Sequence, residues 1–84
     1  MIKDTNKVNF QLLFGKRIKE LRKIRNLSLR ELSQRCNLDY SDIAKYEKGE
    51  VNVQLSTIYE LAKGLQISPK EFFDFEFDSQ TDYV

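Results

Sequence analysis

The chain has 84 residues and a mass of 10.0 kDa, with 40% apolar and 32% charged side chains: one small core, and no room for an enzyme with a separate substrate domain. With no histidine and a single cysteine, neither a tetrahedral zinc site nor an internal disulfide is expected, and no motif asks for a cofactor. No apolar stretch reaches signal-peptide or membrane-span length, so a cytoplasmic protein with no membrane partner is expected.

The net charge of +1 hides an asymmetry: residues 1–50 carry 12 Lys/Arg and 7 Asp/Glu, residues 51–84 carry 2 and 6. Between Lys16 and Arg35, eight basic side chains meet only Glu20 and Glu31. A basic front and an acidic back suit a molecule that turns one face to a polyanion, although ordinary solvated helix faces give the same count.

In chain order, residues 1–8 are polar and without period, and read as a loosely held arm. Apolar residues at 10, 13, 14, 18, 21 and 24 mark an amphipathic first helix over about 9–25. Ser28-Leu29-Arg30-Glu31 is a capping box that opens a second helix, about 29–36, with Leu29, Leu32 and Cys36 inward. Asn37 stands at the sharp turn, where a left-handed backbone is expected, and Asp39 is placed to cap a third helix, about 40–48, stopped by Gly49. Ile43 and Tyr46 (or Glu47) face inward on it. A fourth helix, about 55–65, buries Ile58, Leu61, Ala62 and Leu65. Ser68-Pro69-Lys70-Glu71 is a second capping box opening a fifth helix, about 69–74.

The expected fold is therefore all-α, a compact five-helix bundle over residues 9–74 followed by a short acidic, Phe-rich tail over 75–84. Its second and third helices, joined by a few residues, meet the demands of a helix-turn-helix. Ser33 is a small residue at the crossing, and Leu32, Leu38 and Ile43 form an apolar wedge.

The segments Phe14–Arg22, Leu27–Leu32, Ile43–Gly49, Leu55–Lys63 and Leu65–Pro69 resemble the Cro/phage-repressor (XRE-type) helix-turn-helix regulators, over roughly residues 10–73. That resemblance implies a five-helix lambda-repressor-like domain that binds double-stranded DNA operators, as a homodimer on a palindrome, and regulates transcription, here as a repressor. Small phage-type repressors and restriction–modification controller proteins are the most similar in length.

By the resemblance, base edges in the major groove fall to Tyr40, Ser41, Ala44 and Lys45. The chemistry fits: lysine donates to guanine O6 or N7, serine donates or accepts, and an alanine methyl meets a thymine methyl. Phosphate positions are Ser28 and Leu29 at a helix N-terminus, Arg30 and Arg35, then Lys48 and Asn52. Arg22 and Glu47 match a pair that ties the first helix to the third. Taken singly, these residues also have plain readings. Lys45, Arg30 and Arg35 could be solvated surface charges, Tyr40 a flank residue, and Cys36 a small core residue rather than a redox sensor. Two positions depart from the family pattern. Val53 replaces a common proline, and Gln66 stands where glycine is usual, so the fourth helix is expected to end early or with strain.

Phe73, Phe75 and Phe77 alternate with acids, a period that suits an extended segment. Phe72, Phe73, Phe75 and Phe77 are therefore expected to pack across a two-fold axis; the alternative is that they fold back on Phe10 and Leu13. A competing function is a protein-binding module, such as the antitoxin of a toxin–antitoxin pair, whose acidic end wraps a basic partner. Catalysis is rejected, because there is no Gly-rich phosphate loop and no Ser or Cys beside an evident base.

Overall fold

The computed structural model describes residues 5–77; the outer parts of the expected arm (1–4) and of the expected tail (78–84) lie outside the described residues. Four α-helices follow one another: α1 (Thr5–Ile24), α2 (Leu29–Gln34), α3 (Tyr40–Glu47) and α4 (Leu55–Leu65). The expected fifth helix is instead a 3-10 helix, Pro69–Phe73. Pro69 sets its first φ, but the Ser68 side chain makes no cap bond; backbone bonds three residues back, Glu71 N–H to the Ser68 carbonyl (3.0 Å) and Asp74 N–H to the Glu71 carbonyl (3.3 Å), bracket the turn. Five residues are too few to propagate an α-helix without that cap.

α1 begins at Thr5 rather than at residue 9, so half of the expected arm is helical. α2 stops at Gln34, where the Arg35 N–H turns back to the Leu32 carbonyl at 2.9 Å. At its other end the first capping box is complete: Ser28 Oγ accepts from the Glu31 N–H (3.0 Å), and the Glu31 carboxylate accepts from the Ser28 N–H (2.8 Å).

Three helices end on the same device. Asn26 (φ 59°), Gly49 (φ 70°) and Gln66 (φ 57°) are left-handed. Each donates its N–H three residues back, and the next residue donates five back. Leu27 bonds the Arg22 carbonyl (3.1 Å), Glu50 that of Lys45 (3.1 Å) and Ile67 that of Ala62 (3.1 Å). This is the Schellman motif. α4 thus runs its full expected length, and the anticipated strain falls on Gln66. Asn37, by contrast, is not left-handed. Its N–H is captured by Glu60 Oε1 at 2.9 Å, so the turn between α2 and α3 is held by a carboxylate from α4 rather than by a special backbone angle.

The core is drawn from every element. Phe14, Ile18 and Leu21 come from α1, Leu32 from α2, Ile43 from α3, Leu61, Ala62 and Leu65 from α4, and Phe72 from the 3-10 helix. Leu29, Cys36, Leu38, Tyr46 and Ile58 pack against it from the rim. Ile24, expected inward from its spacing, is 71% exposed. α1 packs on α3 and on the 3-10 helix, and α2 on α3 and α4.

The phenylalanines divide. Phe72 is fully buried, its ring 6.0 Å from that of Phe14, which removes it from any subunit contact. Phe75 and Phe77 fold back on Phe10, with ring centroids at 5.6 and 5.2 Å, as in the alternative reading. Phe73 covers Phe14 at 5.1 Å yet remains 46% exposed. Arg17, counted above as part of a basic face, holds this end in place. Its Nε donates to the Glu71 carbonyl at 2.9 Å, and its Nη1 pairs with Glu20 at 2.9 Å. No strand occurs among the described residues.

Candidate nucleic-acid interface

The site is built on α3, a helix of eight residues with two unlike sides. Ile43 is fully buried, Tyr46 packs against the core, and the Glu47 side chain is nearly enclosed. At helical spacing from these, Tyr40, Ser41 and Lys45 are exposed and Ala44 is half-buried between them. The outer side of α3 is thus open at Ser41 and Lys45, with Tyr40 and Ala44 on its flanks, so the four side chains expected to meet base edges border one open surface. The Asp39 side chain makes no cap bond, so α3 starts on backbone bonds alone, Asp42 and Ile43 N–H to the Asp39 carbonyl, each 3.1 Å.

What fixes α3 is its far end. Arg22 of α1 donates through Nε and Nη2 to the two carboxylate oxygens of Glu47, at 2.6 and 2.9 Å, and through Nη1 to the Leu27 carbonyl at 2.9 Å. Both side chains are more than nine-tenths buried. The hydrogen bonds to Glu47 raise the Arg22 pKa above its ordinary value against the opposing effect of burial. Gly15 makes the approach of α1 to this end close enough: a Cβ there would lie 2.8 Å from the Glu47 carbonyl oxygen and nearer still to that of Tyr46. Gln11 Nε2 adds a bond to the Gly49 carbonyl at 2.8 Å.

Of the expected phosphate positions, Ser28 gives its N–H to Glu31, which in turn lowers the Glu31 pKa. The amides left without an intrahelical partner at this helix start are those of Leu29 and Arg30. Arg35 and Lys48 are exposed C-cap residues of α2 and α3, and Asn52 is exposed in the loop after α3. Among the described residues Arg35, Lys45 and Lys48 enter no ion pair. Arg30 is different. Its guanidinium lies 4.6 Å from the centre of the Tyr40 ring, with Nη2 3.4 Å from the phenol oxygen. One expected phosphate residue and one expected base residue therefore form a single stacked unit.

A cleft of about 320 Å³ beside α3 is lined by Asp42, Lys45, Tyr46, Asn52, Gln54 and Thr57, among others. Sequence reasoning had no signal for Gln54 or Thr57, which lie at the start of α4 and reach Lys45 only through tertiary packing. Cys36 is half-buried beside Gly64 and bonds the Leu32 carbonyl at 3.3 Å; burial pushes its thiol pKa up, as for a packing residue rather than a reactive one.

Comparison with known proteins shows the family and the fold. The helix-turn-helix family model HTH_3 matches residues 18–72, from the last third of α1 through α2, α3 and α4 into the 3-10 helix. The chain is 30% identical over 60 residues to the uncharacterized HTH-type transcriptional regulator y4wC of Sinorhizobium fredii, covering 71% of this chain and 42% of that protein. It spans less than half the length of the curated relatives it matches. Among solved structures, it is similar to the restriction-modification controller protein C.AhdI of Aeromonas hydrophila, with 40% identity and a TM-score of 0.72 over 75% of this chain and 96% of that one. It is also similar to an HTH_3 family transcriptional regulator of Vibrio cholerae, with 32% identity and a TM-score of 0.75 over 79% and 37%.

Proposed function

The chain belongs to the helix-turn-helix family, and from that premise we propose that it is a transcriptional regulator, a repressor, that binds double-stranded DNA sequence-specifically as a homodimer on a palindromic operator. The observation that carries this reading is the two-sided α3: Ile43 sits in the core while Ser41 and Lys45 stand exposed on the opposite side, flanked by the exposed Tyr40 and the half-buried Ala44. Lys45 reads guanine, Ser41 and Tyr40 add hydrogen bonds, and Ala44 meets a thymine methyl. The Leu29 and Arg30 amides, with Arg35, Lys48 and Asn52, hold phosphates and set register. The 40% identity to a restriction-modification controller supports a role of the same kind, controlling such genes by protein concentration.

The second copy docks on apolar surface away from α3. With Phe72 in the core and Phe75 and Phe77 on Phe10, Phe73 remains exposed, and so do two residues one turn apart on α4, Leu55 (83% exposed) and Tyr59 (63%), which we take as the contact. Two recognition helices about 34 Å apart would then match half-sites one DNA turn apart.

The test is selection of bound duplexes from a random pool, followed by titration of single-base-pair variants. Lys45→Ala is expected to relax one base-pair position, whereas Arg35→Ala weakens all sequences alike. About four phosphate contacts per half-site imply a log–log salt slope near −4, roughly doubled for the dimer. Equal loss across every sequence for Lys45→Ala would remove its base-reading role. Sedimentation as a monomer at high micromolar concentration, unchanged in Leu55→Glu, would remove the dimer.

A further inference from the structure

We infer that Arg30 is a positioning residue for Tyr40, so that a side chain of α2 sets part of the base preference delivered by α3. The inference rests on the DNA-binding reading above and adds a specificity role to a residue otherwise assigned only to phosphate.

Tyr40 is the first residue of α3. No preceding helical turn supports its ring, and the residue is 40% exposed, so left alone the side chain would sample several rotamers. The neighbour that restrains it is Arg30, 4.6 Å from the ring centre. This is well inside the range of a cation–π contact, while the 3.4 Å Nη2–Oη separation is long for a hydrogen bond, so the cation–π contact is the principal one. Arg30 is itself anchored. It is the second residue of a helix closed by the Ser28–Glu31 box, and its carbonyl accepts from Ser33 Oγ at 2.8 Å. The direction of the Tyr40 phenol is therefore referred to the backbone of α2. Apart from Nη2, which lies beside the phenol oxygen, the guanidinium N–H donors make no hydrogen bond among the described residues and can take a phosphate oxygen. The same side chain can hold the DNA backbone and the reading tyrosine at once.

The experiment uses the full chain with the duplex chosen by the selection above and its complete set of single-base-pair variants. Affinities are measured for wild type, Arg30→Ala, Arg30→Lys, Tyr40→Leu and the Arg30→Ala/Tyr40→Leu double variant. Arg30→Ala is expected to lower overall affinity. It should also reduce discrimination about two- to fivefold at the one base pair that Tyr40→Leu relaxes, the range of an exposed cation–π contact. Arg30→Lys keeps the charge and the salt slope but loses most of that discrimination, because an ammonium does not lie flat on the ring. In the Tyr40→Leu background, Arg30→Ala costs affinity and no further discrimination. A uniform loss over all base pairs for Arg30→Ala, or full discrimination in Arg30→Lys, overturns the inference while leaving the function standing. A wild-type protein with no base preference overturns both. Both side chains are exposed, so folding should be retained; if Arg30→Ala unfolds, Arg30→Lys reads the same position.

Discussion

Arg22 of α1 grips both carboxylate oxygens of Glu47, the last residue of α3, at 2.6 and 2.9 Å, and spends a third N–H on the Leu27 carbonyl ahead of α2. One buried guanidinium thus ties the scaffold helix to both halves of the helix-turn-helix. Truncating either partner leaves the other charge enclosed without compensation, at a cost of about 3–5 kcal/mol. Arg22→Ala and Glu47→Ala are each expected to shift the urea midpoint sharply downward, while the double replacement Arg22→Met/Glu47→Leu recovers much of the loss. A double variant as unstable as the summed singles would mean that the two residues act independently.

Gly15 stands in the middle of α1, where alanine would normally favour the helix by about 1 kcal/mol. Here a Cβ meets the backbone oxygens of Tyr46 and Glu47, which cannot move without shifting α3. Gly15→Ala is therefore expected to reverse the usual sign and destabilise by about 2 kcal/mol or more. Because the displacement falls on the DNA-facing helix, affinity for the selected duplex should fall as well. Denaturant unfolding and titration on the same variant check both.

Gln66 holds φ 57° and ψ 47° at the end of α4, a conformation that costs an L-residue about 1–2 kcal/mol. Only its backbone is used, its carbonyl accepting from Arg25 Nη2 at 3.2 Å. Gln66→Gly is expected to stabilise by about 1 kcal/mol and raise Tm by roughly 4–8 °C. Asn26→Gly, at an equivalent place, should gain less, since asparagine tolerates this region better.

Glu31 and Glu60 both have pKa values held below the ordinary 4.5, the first mainly by the Ser28 backbone N–H and the second mainly by that of Asn37. Each folded value lies below the unfolded one. The stabilisation is therefore complete above the unfolded value and is lost as pH falls through the folded values. Thermal unfolding followed from neutral pH to below pH 4 should show a wild-type decline that is flattened in Glu31→Gln/Glu60→Gln. Parallel curves for the two proteins would mean that neither carboxylate contributes.

Much of the domain is legible from local chemistry. The Ser28–Glu31 box, the stop at Gly49, the α4 stripe of Leu61, Ala62 and Leu65, and the strained end at Gln66 are properties of short segments, set by backbone geometry and helical period. The open face of α3 follows in part from the same period, since burying Ile43 turns Ser41 and Lys45 outward; the exposure of Tyr40, one turn before Ile43, is not set by that period.

Where the reading missed, the partner was remote. Asn37 looked like a left-handed turn residue because nothing nearby announced Glu60, 23 residues on, as the acceptor for its N–H. The Ser68 box has the right letters, but its side-chain bond does not form in so short a 3-10 turn. Phe72 and Phe73 are adjacent and chemically alike, and both rings meet Phe14, yet the packed core takes in the first and leaves the second 46% exposed. Arg17 and Arg30 likewise look like members of one basic run, yet one braces the 3-10 helix and the other lies on Tyr40.

The amino-acid order alone thus determined the helices, most of their ends and the side of α3 that faces water. Hydrogen-bond closure and amphipathic period act over a few residues, and their signals survive without a fold. Tertiary structure decided which charges are structural, which phenylalanines are buried, and that Arg30 and Tyr40 act together. Those outcomes depend on distances between segments far apart in the chain, and such distances exist only once the core has drawn the helices into place.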